Sequence, residues 1–263
     1  MSSKVEFLEN LLRENAPILI AYSGGVDSAY LLAVAHRTLG DGMLGVIADS
    51  PSLPRQALAD ALELAGQIGA PVEVIRTDEM QDENYTGNPV NRCYFCKSEL
   101  FQKLNAIAAE RKFAAIAYGE NADDMRVIRP GRQAASEFSI VAPLRDAGMT
   151  KDEIREQSRA LGLPTADAPA QPCLSSRIPH GTPVTIDALA MIEQAEAFVR
   201  GLGFRIFRVR HGVGPEGRFT ARVQISPNEM GRIEPLNGSL VAGLAAIGYD
   251  TVEIDPAGYR SPA

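Results

Sequence analysis

Ser23-Gly24-Gly25-Val26-Asp27-Ser28 follows the apolar run Ala16 to Tyr22 and leads into an apolar helical stretch from about Ser28 to Leu39. A strand that turns through two glycines straight into a helix is a βα unit, which restricts the chain to α/β folds. The N–H groups of such a turn face outward beside the positive end of the helix, ready for an anion. Gly24 and Gly25 permit positive φ and close approach of a ligand to the backbone, and the hydroxyls of Ser23 and Ser28 add donors. Asp27 is suited to orient the loop or to hold magnesium. The loop has neither the lysine nor the longer spacing of the nucleoside-triphosphate P-loop, so transfer of a gamma phosphate is not the chemistry it points to. A glycine-rich turn with no ligand is the alternative.

Further βα units follow. Met43 to Ala48 reads as a second strand, Pro54 to Ile68 as a helix, Pro71 to Arg76 as a third strand, and Phe113 to Gly119 as a fourth after another helix. Strands alternating with helices predict a parallel, Rossmann-like sheet wrapped on both faces. Ligands of such sheets lie beyond the carboxyl ends of the strands, which nominates Asp49 and Gly119 beside the loop.

The Pro-rich passage from Pro164 to Pro183 breaks this pattern. Beyond it, Ile186 to Leu202 reads as a helix, Phe204 to Arg210 and Phe219 to Ile225 as strands, and Val252 to Ile254 as a possible partner strand, a small α+β domain. Arg208 and Arg210 stand two apart on the first of these strands and so share a face, fit to grip a phosphate or carboxylate. Gly212-Val213-Gly214-Pro215-Glu216-Gly217 matches the dinucleotide fingerprint by letter, but it precedes a strand where the fingerprint must open a helix, so a hairpin loop is expected.

At 263 residues, 45% hydrophobic and 22% charged, the chain can bury two modest cores, and no apolar run approaches the ~18 residues of a membrane span. The net charge of −7 offers no general attraction to nucleic acid. An odd set of three cysteines fits a reducing compartment, with the cytoplasm as the expected location. Cys93 and Cys96 fall at the start of a helix running to about Arg111, one turn apart. With Cys173 they suit an iron–sulfur cluster, zinc with His180 as fourth ligand, a redox pair, or plain core packing. Lys97, Arg92 and Arg177 would favour thiolates if close.

The loop from Ser23 to Ser28 resembles the pyrophosphatase loop, or PP-loop, of N-type ATP pyrophosphatases, which cleave ATP between the alpha and beta phosphates. Read together with Arg129-Pro130-Gly131, Leu163-Pro164-Thr165, the run from Cys173-Leu174-Ser175-Ser176-Arg177 through Ile178-Pro179-His180-Gly181-Thr182-Pro183, and Phe207-Arg208-Val209-Arg210-His211, the chain resembles the LarE family from about residue 5 to 255. These are ATP-dependent sulfur transferases of nickel-pincer nucleotide cofactor biosynthesis.

The resemblance implies a PP-loop domain over 1–165, a cysteine-bearing linker over 166–183, and a small α+β substrate or oligomerisation domain over 184–263. It implies that ATP and Mg2+ are held at Ser23, Gly24, Gly25, Asp27, Ser28, Asp49 and Gly119. A carboxylate of a pyridinium biscarboxylic acid mononucleotide is adenylated, and sulfur then displaces AMP to leave a thiocarboxylate. Arg177, Arg208 and Arg210 are the implied substrate contacts. Cys93, Cys96 and Cys173 match the branch whose cysteines hold a catalytic 4Fe-4S cluster with one open iron. In another branch a lone cysteine at the position of Cys173 gives up its own sulfur and becomes dehydroalanine. The family also implies a homo-oligomer that works with other proteins of the same cofactor pathway and needs neither nucleic acid nor membrane.

Some positions depart from the family pattern. Glu120 stands in Gly119-Glu120-Asn121-Ala122-Asp123-Asp124 where a small hydroxyl residue is usual, and Val127, Ile128, Ala166 and Ala168 are atypical. A tRNA thiolase would be expected to show zinc-ribbon CxxC pairs or a basic surface, which the sequence lacks. An amidotransfer synthetase would not require the Cys173 to Pro183 run, and a non-catalytic ATP-sensing module would bind ATP without cleaving it.

Overall fold

The computed structural model describes residues 3–126 and 130–259; Val127, Ile128 and Arg129 lie outside the described residues. The chain forms two compact units, one of residues 1–50, 55–79 and 91–168, the other of residues 51–54, 80–90 and 169–263.

In the first unit, helix α1 (Ser3–Glu14) precedes β1 (Ile18–Ala21), α2 (Val26–Leu39), β2 (Met43–Asp49), α3 (Arg55–Ile68), β3 (Val72–Arg76), α4 (Arg92–Arg111), β4 (Ala115–Tyr118), α5 (Pro130–Glu137) and α6 (Lys151–Ala160). The strands form one sheet in the order β3-β2-β1-β4. All pairs are parallel, with Ala21 opposite Val46 on one side and Tyr118 on the other. Fully buried Ile18, Leu19 and Ile20 make β1 an unbroken apolar run, as a strand covered on both faces requires. One face packs Leu19 and Val46 against Phe101 and Leu104 of α4 and Ala134 and Ala135 of α5. Each large side chain so buried contributes about 1.5–3 kcal/mol.

In the second unit, α7 (Ile186–Gly201) leads to β5 (Phe207–Val213), β6 (Phe219–Ile225), α8 (Ile233–Ile247) and β7 (Thr251–Ile254). β5 and β6 are antiparallel, whereas β6 and β7 run parallel. Alternation puts Phe207, Val209, Ala221, Val223 and Ile225 into a core with Val199, Phe204, Leu240 and Leu244. The second strand of the unit begins and ends as the sequence predicts. The first starts three residues later than expected, because Phe204 leaves the ladder to fill the core, and it runs on to Val213. Gly212 thereby lies within β5, and the glycine pattern around it forms a hairpin between antiparallel strands.

Residues 51–54 and 80–90 join this unit through hydrogen bonds to the Cys173 to Pro183 run. Leu174 N donates to Ser52 O at 2.8 Å, Gly181 N to Asn88 O at 3.0 Å and Val184 N to Thr86 O at 2.8 Å. Asn88, fully buried, gives its amide to the carbonyls of Pro179 and Thr182, both at 2.8 Å. A buried turn with this many polar groups is stable only when they are paired.

Candidate functional site

The PP-loop candidate occupies the end of β1. Gly24 has φ +74°, and a Cβ there would stand 2.7 Å from Ala61 Cβ on α3, so glycine alone suits both the conformation and the space. The Ser28 hydroxyl accepts from Ser23 N at 3.2 Å, lies 3.0 Å from Ser23 Oγ and donates to Gly25 O at 3.1 Å, closing the loop on itself. Gly25 caps α2, whose first-turn N–H groups have no acceptor within the helix. Gly119 follows β4 directly. A Cβ on it would meet Ser28 N at 2.8 Å and Asp27 C at 3.1 Å, so the end of β4 presses against the loop. Asp49 ends β2 at the same edge of the sheet and pairs with Arg55, which also donates to Ser50 O at 2.7 Å. The structure therefore brings Ser23, Gly24, Gly25, Asp27, Ser28, Asp49 and Gly119 to one end of the first unit's sheet.

Lys151, at the start of α6, is the residue that the sequence reading missed. Its Nζ donates to Asp27 Oδ2 at 2.7 Å, and its backbone N to Asp123 Oδ2 at 2.8 Å. Asn121 turns the chain here by accepting from Asp123 N at 2.9 Å and Asp124 N at 3.2 Å. The signal was available. Thr150 and Glu153 form a capping box that starts a helix at Lys151, and a lysine in a first turn opposes the helix dipole, so it invites a functional explanation. Burial pushes the Asp27 pKa up while Lys151 pulls it down. Oδ1 of Asp27 is buried without a hydrogen bond of normal geometry. A bare carboxylate oxygen beside a phosphate loop fits Mg2+, which commonly takes one or two carboxylates together with substrate phosphates.

Cys93 and Cys96 lie in the first turns of α4, the former exposed and the latter half-buried. Tyr94 between them donates to Glu137 at 2.6 Å. The Lys97 ammonium sits 4.7 Å from the centre of the Tyr118 ring. Cys173 belongs to the second unit, half-buried just before the single turn Leu174–Arg177, and His180 is exposed. Among the described residues no group of three or more His, Cys, Asp or Glu side chains is assembled for a metal ion. The donor type, thiol alone, nonetheless suits iron–sulfur chemistry or zinc better than magnesium.

Arg177, Arg208 and Arg210 all grip the segment that carries Cys173. Arg177 is 3% exposed and pairs through Nε and Nη2 with Glu196, at 2.9 and 2.8 Å, while its Nη1 donates to the carbonyls of Pro172 and Cys173. Arg208 donates to Ala170 O at 2.8 Å and lies over the Tyr259 ring; Arg210 donates to Ser176 O at 2.6 Å and to Gln224 at 2.9 Å. Arg208 and Arg210 stand on the face of β5 opposite the core, as their spacing predicts, and both are half-buried. Burial and neighbouring Arg177 lower the Arg208 pKa. Ser175, fully buried, closes a hydroxyl triangle with Ser52 at 2.9 Å and Tyr85 at 2.7 Å.

No protein-family model matches the chain. An uncharacterized protein of Synechocystis sp. is 41% identical over 263 residues, covering 99% of this chain and 96% of that one. A pyridinium-3,5-bisthiocarboxylic acid mononucleotide synthase of Lactiplantibacillus plantarum is 30% identical over 262 residues, 99% of this chain and 93% of the synthase. A subunit of the glutamine-hydrolyzing GMP synthase of Methanocella arvoryzae is 28% identical over 207 residues, 70% of this chain and 64% of its own length.

Proposed function

Because the chain belongs to the LarE family of ATP-using sulfur transferases, we propose that it adenylates a carboxylate of a pyridinium biscarboxylic acid mononucleotide and replaces AMP with sulfur. One observation carries this reading. A chain related along 99% of its length to a bisthiocarboxylic acid mononucleotide synthase ends its first strand in a glycine loop with a half-buried aspartate, one oxygen of which is paired with Lys151.

In the first step a substrate carboxylate oxygen attacks the alpha phosphorus, the bond to the bridging oxygen breaks, and pyrophosphate leaves. Loop N–H groups and the hydroxyls of Ser23 and Ser28 receive the departing charge. Lys151, released from Asp27, adds a cation, and the Asp27 carboxylate would hold Mg2+, which would neutralise phosphate charge. In the second step a carbon–sulfur bond forms at the activated carbonyl and the carbon–oxygen bond to AMP breaks. Cys93, Cys96 and Cys173 are the residues that would hold a 4Fe-4S cluster, and such a cluster would supply the sulfur. Arg208 and Arg210 exchange carbonyl partners for the substrate's phosphate or carboxylate, the stronger acceptors. Arg177, fully engaged with Glu196 and backbone, holds the Cys173 turn. The cytoplasm and a homo-oligomeric state belong to the same proposal.

The test is anaerobic purification, followed by iron and sulfide counts and by turnover with ATP and pyridinium-3,5-biscarboxylic acid mononucleotide. Pyrophosphate, AMP and thiocarboxylate are expected in step, with iron lost in Cys93→Ala. ATP left uncleaved with that acceptor overturns the reading. An iron-free protein that carries dehydroalanine at Cys173 after one turnover replaces the cluster with sacrificial donation.

A further inference from the structure

We propose that a cavity at the end of β4, walled by Tyr118, Arg132 and Arg145, is a binding site for a small oxyanion such as a phosphate or carboxylate group. The cavity measures about 280 Å³ and is lined by Tyr118, Arg132, Ala135, Ser136, Ser139, Ile140 and Arg145, with no residue of the glycine loop among them.

The charge of its walls has one sign. Two guanidiniums line it and no carboxylate does. The carboxylates that share those guanidiniums stand behind them. Glu120, 4% exposed, accepts from Arg132 Nε through Oε1 and from Arg145 Nη1 through Oε2, each at 2.9 Å. Asp146, on the solvent side, takes Arg145 Nε at 2.8 Å. Arg132 also donates through Nη2 to the carbonyl of Asp124. Among the described residues the Nη1 group of Arg132 has no acceptor. Buried Glu120 thus does for two arginines what a rigid template does: it fixes their planes before any ligand arrives, lowering the entropy cost of binding. Glu120 is shared between the two guanidiniums and Asp146 takes only Arg145, so Arg132 has no carboxylate to itself.

The second, independent observation is Tyr118. It is 7% exposed. Its hydroxyl is buried and near Glu120, yet outside the geometry of a hydrogen bond. Glu120, already shared by two guanidiniums, satisfies this hydroxyl poorly, and an oxyanion bridging the arginines offers it a better acceptor. Burial keeps the phenol protonated and so a donor. Glu120 is also one of the positions at which this chain departs from the pattern its family resemblance implies.

Calorimetric titration of the full chain with inorganic phosphate and, separately, with acetate distinguishes a phosphoryl from a carboxylate ligand. Arg132→Gln is expected to weaken the preferred anion by about tenfold or more, the loss of one charged hydrogen bond. Because removing Arg132 also disturbs Glu120, Tyr118→Phe is the second variant. It keeps the ring contacts, does not lower the thermal midpoint of the ligand-free protein, and lowers anion affinity about fivefold or more. Absence of binding by both anions, or binding that neither substitution weakens, overturns the proposal.

Discussion

Lys151 Nζ lies 2.7 Å from Asp27 Oδ2, while Oδ1 of the same carboxylate is buried and unpaired. Removing either partner has a different consequence. Asp27→Asn is expected to lower pyrophosphate release by 100-fold or more, roughly what one preorganised charged group is worth, while thermal unfolding remains cooperative. Lys151→Met removes the largest of the interactions that lower the Asp27 pKa and leaves the burial that raises it. Asp27 then ionises only at higher pH, so the acid limb of the pH profile for pyrophosphate release shifts upward. A limb that stays in place disproves the coupling.

Gly119 is a tight steric point beside the loop. In Gly119→Ala the new Cβ would lie 2.8 Å from Ser28 N, a backbone atom that cannot swing aside as a side chain does. The loop must shift, which is expected to destabilise the protein by about 1–3 kcal/mol and to raise the KM for ATP. Urea unfolding and steady-state kinetics measure the two effects separately.

The loop, the parallel sheet and the face shared by Arg208 and Arg210 were legible because each depends on local spacing: glycine between strand and helix, apolar runs, and alternation along β5. Lys151 was not legible as a loop partner, since 124 residues separate it from Asp27 and only the fold closes that distance. The pairing of Arg177 with Glu196 was not legible for a related reason: the partner sits 19 residues on, one helix away in sequence. The grip of Ser52, Tyr85 and Asn88 on the Cys173 run carries no periodic pattern at all; it consists of single hydrogen bonds between distant turns.

The Arg177–Glu196 pair makes a stability prediction. Both side chains are under a tenth exposed, so Glu196→Ala leaves a buried guanidinium without its counter-charge and is expected to cost about 3–5 kcal/mol. The double variant Arg177→Met, Glu196→Met replaces both charges with apolar groups and should be less destabilised than Glu196→Ala alone. Chemical denaturation of the single and double variants decides this. A double variant that loses as much as or more than the single would show that the backbone carbonyls of Pro172 and Cys173, rather than Glu196, account for the role of Arg177.

His211 sets a pH dependence of opposite origin to that of Asp27. It is 1% exposed, on the core face of β5, with Nδ1 3.3 Å from the Tyr249 hydroxyl, and burial lowers its pKa. The folded protein therefore holds it neutral at a pH where the unfolded chain, with an ordinary histidine pKa of about 6.5, takes up a proton. A base with a depressed folded pKa contributes fully above the unfolded value and loses that contribution as pH falls toward the folded one. Stability should decline below about pH 6.5, by at most about 1.4 kcal/mol per pH unit from this group. Asp255 acts further down: hydrogen bonds from Gln224 and Arg222 hold its pKa at about 2, so its contribution disappears only as pH falls from about 4 toward that value. Urea unfolding at pH 7.5 and 5.5 isolates the histidine window. His211→Gln, which keeps a polar partner for Tyr249 but cannot titrate, is expected to lose less between the two pH values than the unsubstituted protein. Equal losses would place the acid sensitivity elsewhere in the chain.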